Sequence, residues 1–360
     1  MLKIGIVGLA QVGKTTLFRI LTHAHGSGLG SGRPEAHVGV VRVPDPRLDR
    51  LVQMYPGRKA VHASVEYVDT PGSIIDLART GTHAQNLREL DALVHVVRAF
   101  EDGAIPAPGG SVNPRRDIES VELELILSDL AVVEKRLERL EKDLKKQKNP
   151  LLEKEAQVLQ FGKAALEKQT PLREMPLGPE EGKVIRGFTF LSLKPMLYVF
   201  NLGEKDAGRA DAAEQFAAEA GLRQRGRTAV SAVCGKVEAE LAELSDADAA
   251  EFLASYGLSE SALARLIRAS YRLLGLISFF TIGENECRAW TIRSGATAWE
   301  AAGEVHSDFQ RGFIRAEVVK FEDLVSVGSL AEARNRGLLK LEGKEYVLHD
   351  GEVVYFRHSG

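Results

Sequence analysis

The chain has 360 residues, enough for two or three domains, and 44% hydrophobic content supplies sizeable cores. A net charge of −3 excludes a global pull toward nucleic acid or an anionic membrane, so any such contact requires a local patch. Cys234 and Cys287 lack metal-ligand spacing and read as thiols in a reducing compartment. No apolar run reaches ~18 residues, so no membrane span is expected.

A β-rich run, Leu2–Val7, opens the chain as a buried strand; its start at residue 2 leaves no room for a signal peptide ahead of it. Gly8-Leu9-Ala10-Gln11-Val12-Gly13-Lys14-Thr15 follows and fits the phosphate-binding pattern G-x-x-x-x-G-K-[ST]. Thr16-Leu17-Phe18-Arg19-Ile20-Leu21 then shows helical spacing, so the motif lies between a strand end and a helix start. Gly8 and Gly13 permit a tight turn, and the amides of Gln11, Val12, Gly13, Lys14, Thr15 and Thr16 face an anion. Lys14 is the expected phosphate-binding and catalytic cation, and the Thr15 hydroxyl is an expected Mg²⁺ ligand. Residues 24–36 read as a loop beside the phosphates; their glycines follow a helix and fail the test for a dinucleotide fingerprint.

Strands are expected at Val38–Val43, Ser64–Val68 and Leu93–Arg98, with a helix after Pro44-Asp45-Pro46. Asp69-Thr70-Pro71-Gly72 ends the second of these. A D-x-x-G about 55 residues after a P-loop addresses the same metal and phosphate. Asp69 is thus an expected Mg²⁺ ligand through water, and Gly72 a γ-phosphate sensor. His95, inside an apolar run, reads as a core residue. Residues 101–119 look loop-like. From about Ser120, Leu123, Leu127, Leu130, Val133, Leu137, Leu140 and Leu144 recur every three or four residues among charges. Asn149-Pro150 breaks the pattern and a second helix follows, predicting an antiparallel arm with Lys142, Lys145, Lys146 and Lys148 at its tip.

The α/β pattern returns with strands at Pro195–Phe200 and Arg227–Ser231; the loops after them hold Asn201-Leu202-Gly203-Glu204 and Cys234-Gly235-Lys236. Residues 236–277 read as helical. Beyond 278, short strands (278–282, 288–292, 345–348, 353–356) and a helix from Ala298 predict a small α+β domain.

These residues together resemble the Obg-like ATPase (YchF) family, over nearly the whole chain. The likeness rests on Gly5–Gly8 with Val12–Phe18, Pro44–Asp49, Val96–Asp102, Val112–Pro114, Arg268–Leu274, Arg288–Ile292 and Gly312–Glu317. It implies an α/β fold in which a P-loop G domain with a mixed, mostly parallel sheet carries an antiparallel coiled-coil insertion and a C-terminal TGS-like β-grasp domain. The expected boundaries are 1–119 with 186–277, 120–185, and 278–360. In the family N-K-x-D becomes N-x-x-E, here Asn201 to Glu204, and ATP is accepted. A Glu is one methylene too long for the bidentate fit to guanine that Asp makes, so ATP is favoured over GTP; Asn201, Leu202, Glu204 and Cys234 are the expected base contacts. The resemblance further implies a cytoplasmic protein acting near translation or stress response, with the ribosome or its RNA as partner through the arm and TGS-like domain. The chain is a divergent member: residues 23–37 contain no switch threonine, and Ala107 stands in the register of a family histidine. His83 reads as a loop histidine without a catalytic role. The reading is therefore a slow ATPase with Mg²⁺; the alternatives are a non-hydrolysing nucleotide-gated scaffold and, less favoured, a small-molecule kinase.

Overall fold

The computed structural model describes residues 2–22, 37–70, 72–74, 81–222 and 226–359. The expected loop at 24–36 and most of the segment after Gly72 lie outside the described residues. The chain divides into two compact units, residues 1–40 with 66–273, and residues 41–65 with 274–360.

The first unit is built on strands β1 (Lys3–Val7), β2 (His37–Arg42), β4 (Ser64–Asp69), β5 (Ala92–Ala99), β6 (Met196–Leu202) and β7 (Thr228–Val233); the short β3 (Lys59–Val61) belongs elsewhere. Their order is β2-β4-β1-β5-β6-β7, and β1 pairs in parallel with both β4 and β5. Parallel strands covered on both faces read as continuous apolar runs. Seven of the eight residues of β5 are accordingly buried. In this order the carboxyl ends of β1, β4 and β6 bring the P-loop, Asp69 and Asn201 to one edge of the sheet.

The arm starts earlier than expected. Its first helix is Pro114–Lys146, 33 residues long, because Asn113-Pro114 is a helix start rather than a loop. The Asn113 side chain accepts from the Arg116 amide at 3.1 Å, and Pro114 occupies the first turn, where no N–H is needed. The second helix, Pro150–Glu167, repeats the device with Asn149. Ile126, Val133, Leu140, Val158, Leu159 and Leu166 are buried in one core. At the arm's base Asp129, fully buried, accepts the amides of Leu191 (2.9 Å) and Ser192 (2.7 Å), with Arg88 at 3.3 Å.

The second unit holds a six-stranded sheet ordered β11-β10-β12-β8-β9-β3, adding β8 (Leu276–Ile282), β9 (Glu286–Arg293), β10 (Phe313–Lys320), β11 (Lys340–Glu342) and β12 (Glu352–His358). Helix Ala298–Val305 buries Ala298, Ala301 and Ala302 against Phe279, Phe313 and Phe356. Residues 41–65, expected within the nucleotide domain, group with this unit because β3 pairs in parallel with β9. Arg47 reinforces the grouping, bridging Asp45 and Asp350 at 2.8 Å each and lying over Phe280. The strand expected at 345–348 is a turn, with a single bridge from Val347 to Thr297.

Candidate functional site

Three backbone conformations shape the P-loop. Gly8 (φ 148°) and Gly13 (φ 97°) occupy ground open to glycine, and Gln11 (φ 61°) is left-handed despite its side chain. A Cβ on Gly8 would stand 2.6 Å from the Val96 carbonyl, and one on Gly13 2.4 Å from Asn201 Nδ2. The loop therefore closes tightly against β5 and β6. Lys14 begins helix Lys14–Thr22 and folds back over the loop, its Nζ donating to Gly8 O (3.2 Å) and Leu9 O (2.6 Å). Burial lowers its pKa to about 8, against the attraction of Asp69. Among the described residues only carbonyls ligate this ammonium, so an incoming phosphate is a better partner.

Asp69 is buried at the end of β4. Burial raises its pKa, opposed by a hydrogen bond from the Thr15 hydroxyl and by the charge of Lys14. Its Oδ1 has no hydrogen-bond partner among the described residues. A hydroxyl and a buried carboxylate with an open oxygen form the hard donor set that suits Mg²⁺. Gly72 has φ 88° and open space around it, and two residues on the Ile74 amide donates to Gly8 O at 3.1 Å. The D-x-x-G segment thus lies against the P-loop, a link carried by Ile74 that no motif announces. Thr70, also unmarked by motif, ties β4 to β1 through a hydrogen bond to Ile6 O.

Asn201, expected as a base contact, has its side chain engaged with the protein backbone on both sides. Its Nδ2 donates to Val12 O at 3.0 Å, and its Oδ1 accepts from Gly235 N at 3.4 Å. It joins the P-loop to the loop after β7. Leu202 is buried, whereas Glu204 is exposed and lies 3.5 Å from Lys236. Cys234 precedes helix Gly235–Leu241 in extended conformation; burial pushes its thiol pKa up, which disfavours a reactive thiolate. Gln11, Val12, Gly13, Lys14, Thr15, Thr16, Asp69, Gly72, Asn201, Glu204 and Cys234 therefore come from strand ends, the loops that follow them and the first turn of helix Lys14–Thr22, at one edge of the sheet.

His95 is fully buried, and neither ring nitrogen has a hydrogen-bond partner among the described residues. Burial lowers its pKa to about 3, helped by the repulsion of Lys14 and Arg173, so it is a neutral core residue. Ala107 precedes a short turn, Pro108–Gly110, and offers no proton-transfer group. His83 falls in helix Gly81–Arg88, but its side chain lies outside the described residues.

Residues 3–154 match the family described as "50S ribosome-binding GTPase", and residues 276–359 match YchF-GTPase_C, described as "Protein of unknown function (DUF933)". A Bacillus subtilis protein named "Ribosome-binding ATPase YchF" is 42% identical, over 99% of this chain and 98% of that protein. Its namesake from Escherichia coli O157:H7 is 40% identical over 98% of each. The solved Schizosaccharomyces pombe YchF GTPase superposes with a TM-score of 0.83 at 29% identity, over 99% of this chain and 97% of that one. With the P-loop, the D-x-x-G strand end and the N-x-x-E loop at one sheet edge, this full-length similarity establishes that the chain belongs to the YchF family.

Proposed function

We propose that the protein binds ATP with Mg²⁺, hydrolyses it slowly, and uses nucleotide state to control association with the ribosome. The observation that carries the reading is the buried Lys14 ammonium folded over the P-loop onto Gly8 O and Leu9 O, within the field of a buried Asp69 that is hydrogen-bonded to the Thr15 hydroxyl. Lys14 and the amides of Gln11 to Thr16 hold the phosphates, Thr15 and Asp69 hold the metal, and Gly72 senses the γ-phosphate. Mg²⁺ would neutralise charge on the β- and γ-phosphate oxygens. Asn201, Leu202, Glu204 and Cys234 line the base site. The engagement of Glu204 with Lys236 supports ATP, because a carboxylate held by an ammonium is less available to guanine's two N–H donors. The relatives' names support the ribosome as partner, with the arm and a TGS-like C-terminal unit as docking surfaces. A cytoplasmic location follows from that partner.

Single-turnover hydrolysis of ATP with Mg²⁺ tests the enzymatic part; phosphate release above background is expected. No release, with tight binding retained, would favour the second reading of a nucleotide-gated scaffold, which rests on Ala107. Cosedimentation with ribosomes in ATP and ADP tests the partner. Equal pelleting in both nucleotides would sink the switch.

A further inference from the structure

Arg98, near the end of β5, is 1% exposed, and no carboxylate lies within ion-pair distance of it among the described residues. Asp117 feels its charge but is held by Arg116 at 2.8 Å. The guanidinium instead lies over the Phe100 ring, 4.3 Å from its centroid, and among the described residues donates only to backbone carbonyls. These are Phe100 O at 3.1 Å, Ile105 O at 2.9 Å, Pro106 O at 3.1 Å and Gln11 O at 3.4 Å. A buried cation satisfied by carbonyls alone is costly unless another anion offsets it.

We infer that Arg98 is a positioning residue for nucleotide binding, orienting the P-loop amide of Val12 through the Gln11 carbonyl. The peptide bond is planar and trans, so the C=O of one residue and the N–H of the next point in opposite directions. Holding Gln11 O against Arg98 turns Val12 N–H away from the core and toward the phosphate side. Asn201 Nδ2 acts in the same way on the next peptide, since its bond to Val12 O at 3.0 Å turns Gly13 N–H outward. Two side chains from neighbouring parallel strands thus aim two successive amides. Gln11 is the strained residue of the loop, φ 61°, and Arg98 holds the peptide that follows it. The same guanidinium fixes the 105–106 backbone, so the loop carrying Ala107 is locked to the P-loop. Its positive charge lies beneath the phosphate cradle, and the bound polyphosphate is the anion that offsets its burial.

The inference rests on the nucleotide-binding reading, and the test separates the two. Arg98→Met and Arg98→Lys are made in the full chain, and ADP and ATP are titrated calorimetrically beside wild type and Lys14→Ala. Melting is followed without nucleotide. Arg98→Met is expected to weaken both nucleotides about tenfold or more, because charge-assisted donors are removed, and to lower nucleotide-free melting as well, because buried carbonyls lose their donor; the affinity loss in the folded variant is the readout that marks positioning. Arg98→Lys is expected to recover part of the affinity, since an ammonium keeps the charge but cannot span both loops. If Arg98→Met does not fold, the Lys variant decides: a loss of about threefold supports positioning, and wild-type affinity overturns it. Wild-type affinity in folded Arg98→Met also overturns it, as does lowered melting without any affinity loss, the mark of a purely structural residue. Failure of wild type itself to bind would overturn the nucleotide reading and this inference together.

Discussion

The two ends of the nucleotide site are built differently. At the phosphate end Lys14 and Asp69 are buried, with pKa values moved toward neutrality by desolvation. At the base end Glu204 and Lys236 meet at 3.5 Å with both side chains more than half exposed. Buried charges in a low dielectric interact strongly and leave a large penalty when one partner is removed, whereas exposed pairs contribute ~0–1 kcal/mol. On the proposed reading, affinity should be concentrated at the buried phosphate end, and base preference should rest on weak exposed contacts that substitution can retune.

The largest expected effect breaks the phosphate end. Lys14→Ala should lower ATP affinity about a hundredfold, since it removes a charge-assisted contact to phosphate while leaving the fold intact. Calorimetry with melting as a control checks this, and unchanged affinity would overturn the assignment. Next, Asp69→Asn should abolish the gain in ATP affinity that Mg²⁺ brings, seen by titrating with and without the metal. A third test uses pH. Burial lowers the Lys14 pKa to about 8, so free protein should lose that proton as pH rises through this range, whereas bound phosphates should hold it in the nucleotide complex. Binding then takes up a proton, so Kd should rise above pH 8 by up to about tenfold per unit. A flat profile from pH 7 to 10 would separate Lys14 from binding. The smallest effect sharpens the contrast at the base end: Lys236→Ala, which frees Glu204, should shift the ATP to GTP affinity ratio toward GTP by only about threefold. A shift of a hundredfold would show that the exposed pair carries the selectivity.

Some of this was legible from residues alone. The P-loop and Asp69-Thr70-Pro71-Gly72 are local patterns, with turn, donor and hydroxyl set within a few residues, and the strand before each is a plain apolar run. Strand β10 carries no clear alternating pattern, because a register shift between Phe313 and Arg315 breaks the alternation that marks a strand. The short β3 has only three residues and acquires meaning from β9, more than two hundred residues later. Asn113-Pro114 reads locally as loop punctuation, although the same two residues are a cap and first turn when a helix follows.

What the sequence by itself determined is the chemistry available at the site: a lysine, a hydroxyl and an aspartate at fixed spacing from glycine turns, because those groups are placed by short-range backbone geometry. Tertiary structure alone decided how that chemistry is aimed. The Gln11 and Val12 peptides are turned by Arg98 and Asn201, residues nearly ninety and nearly two hundred positions away, and the Gly8 carbonyl is met by Ile74. Parallel strands bring such distant residues side by side, and no local pattern records which carbonyl a buried guanidinium will find.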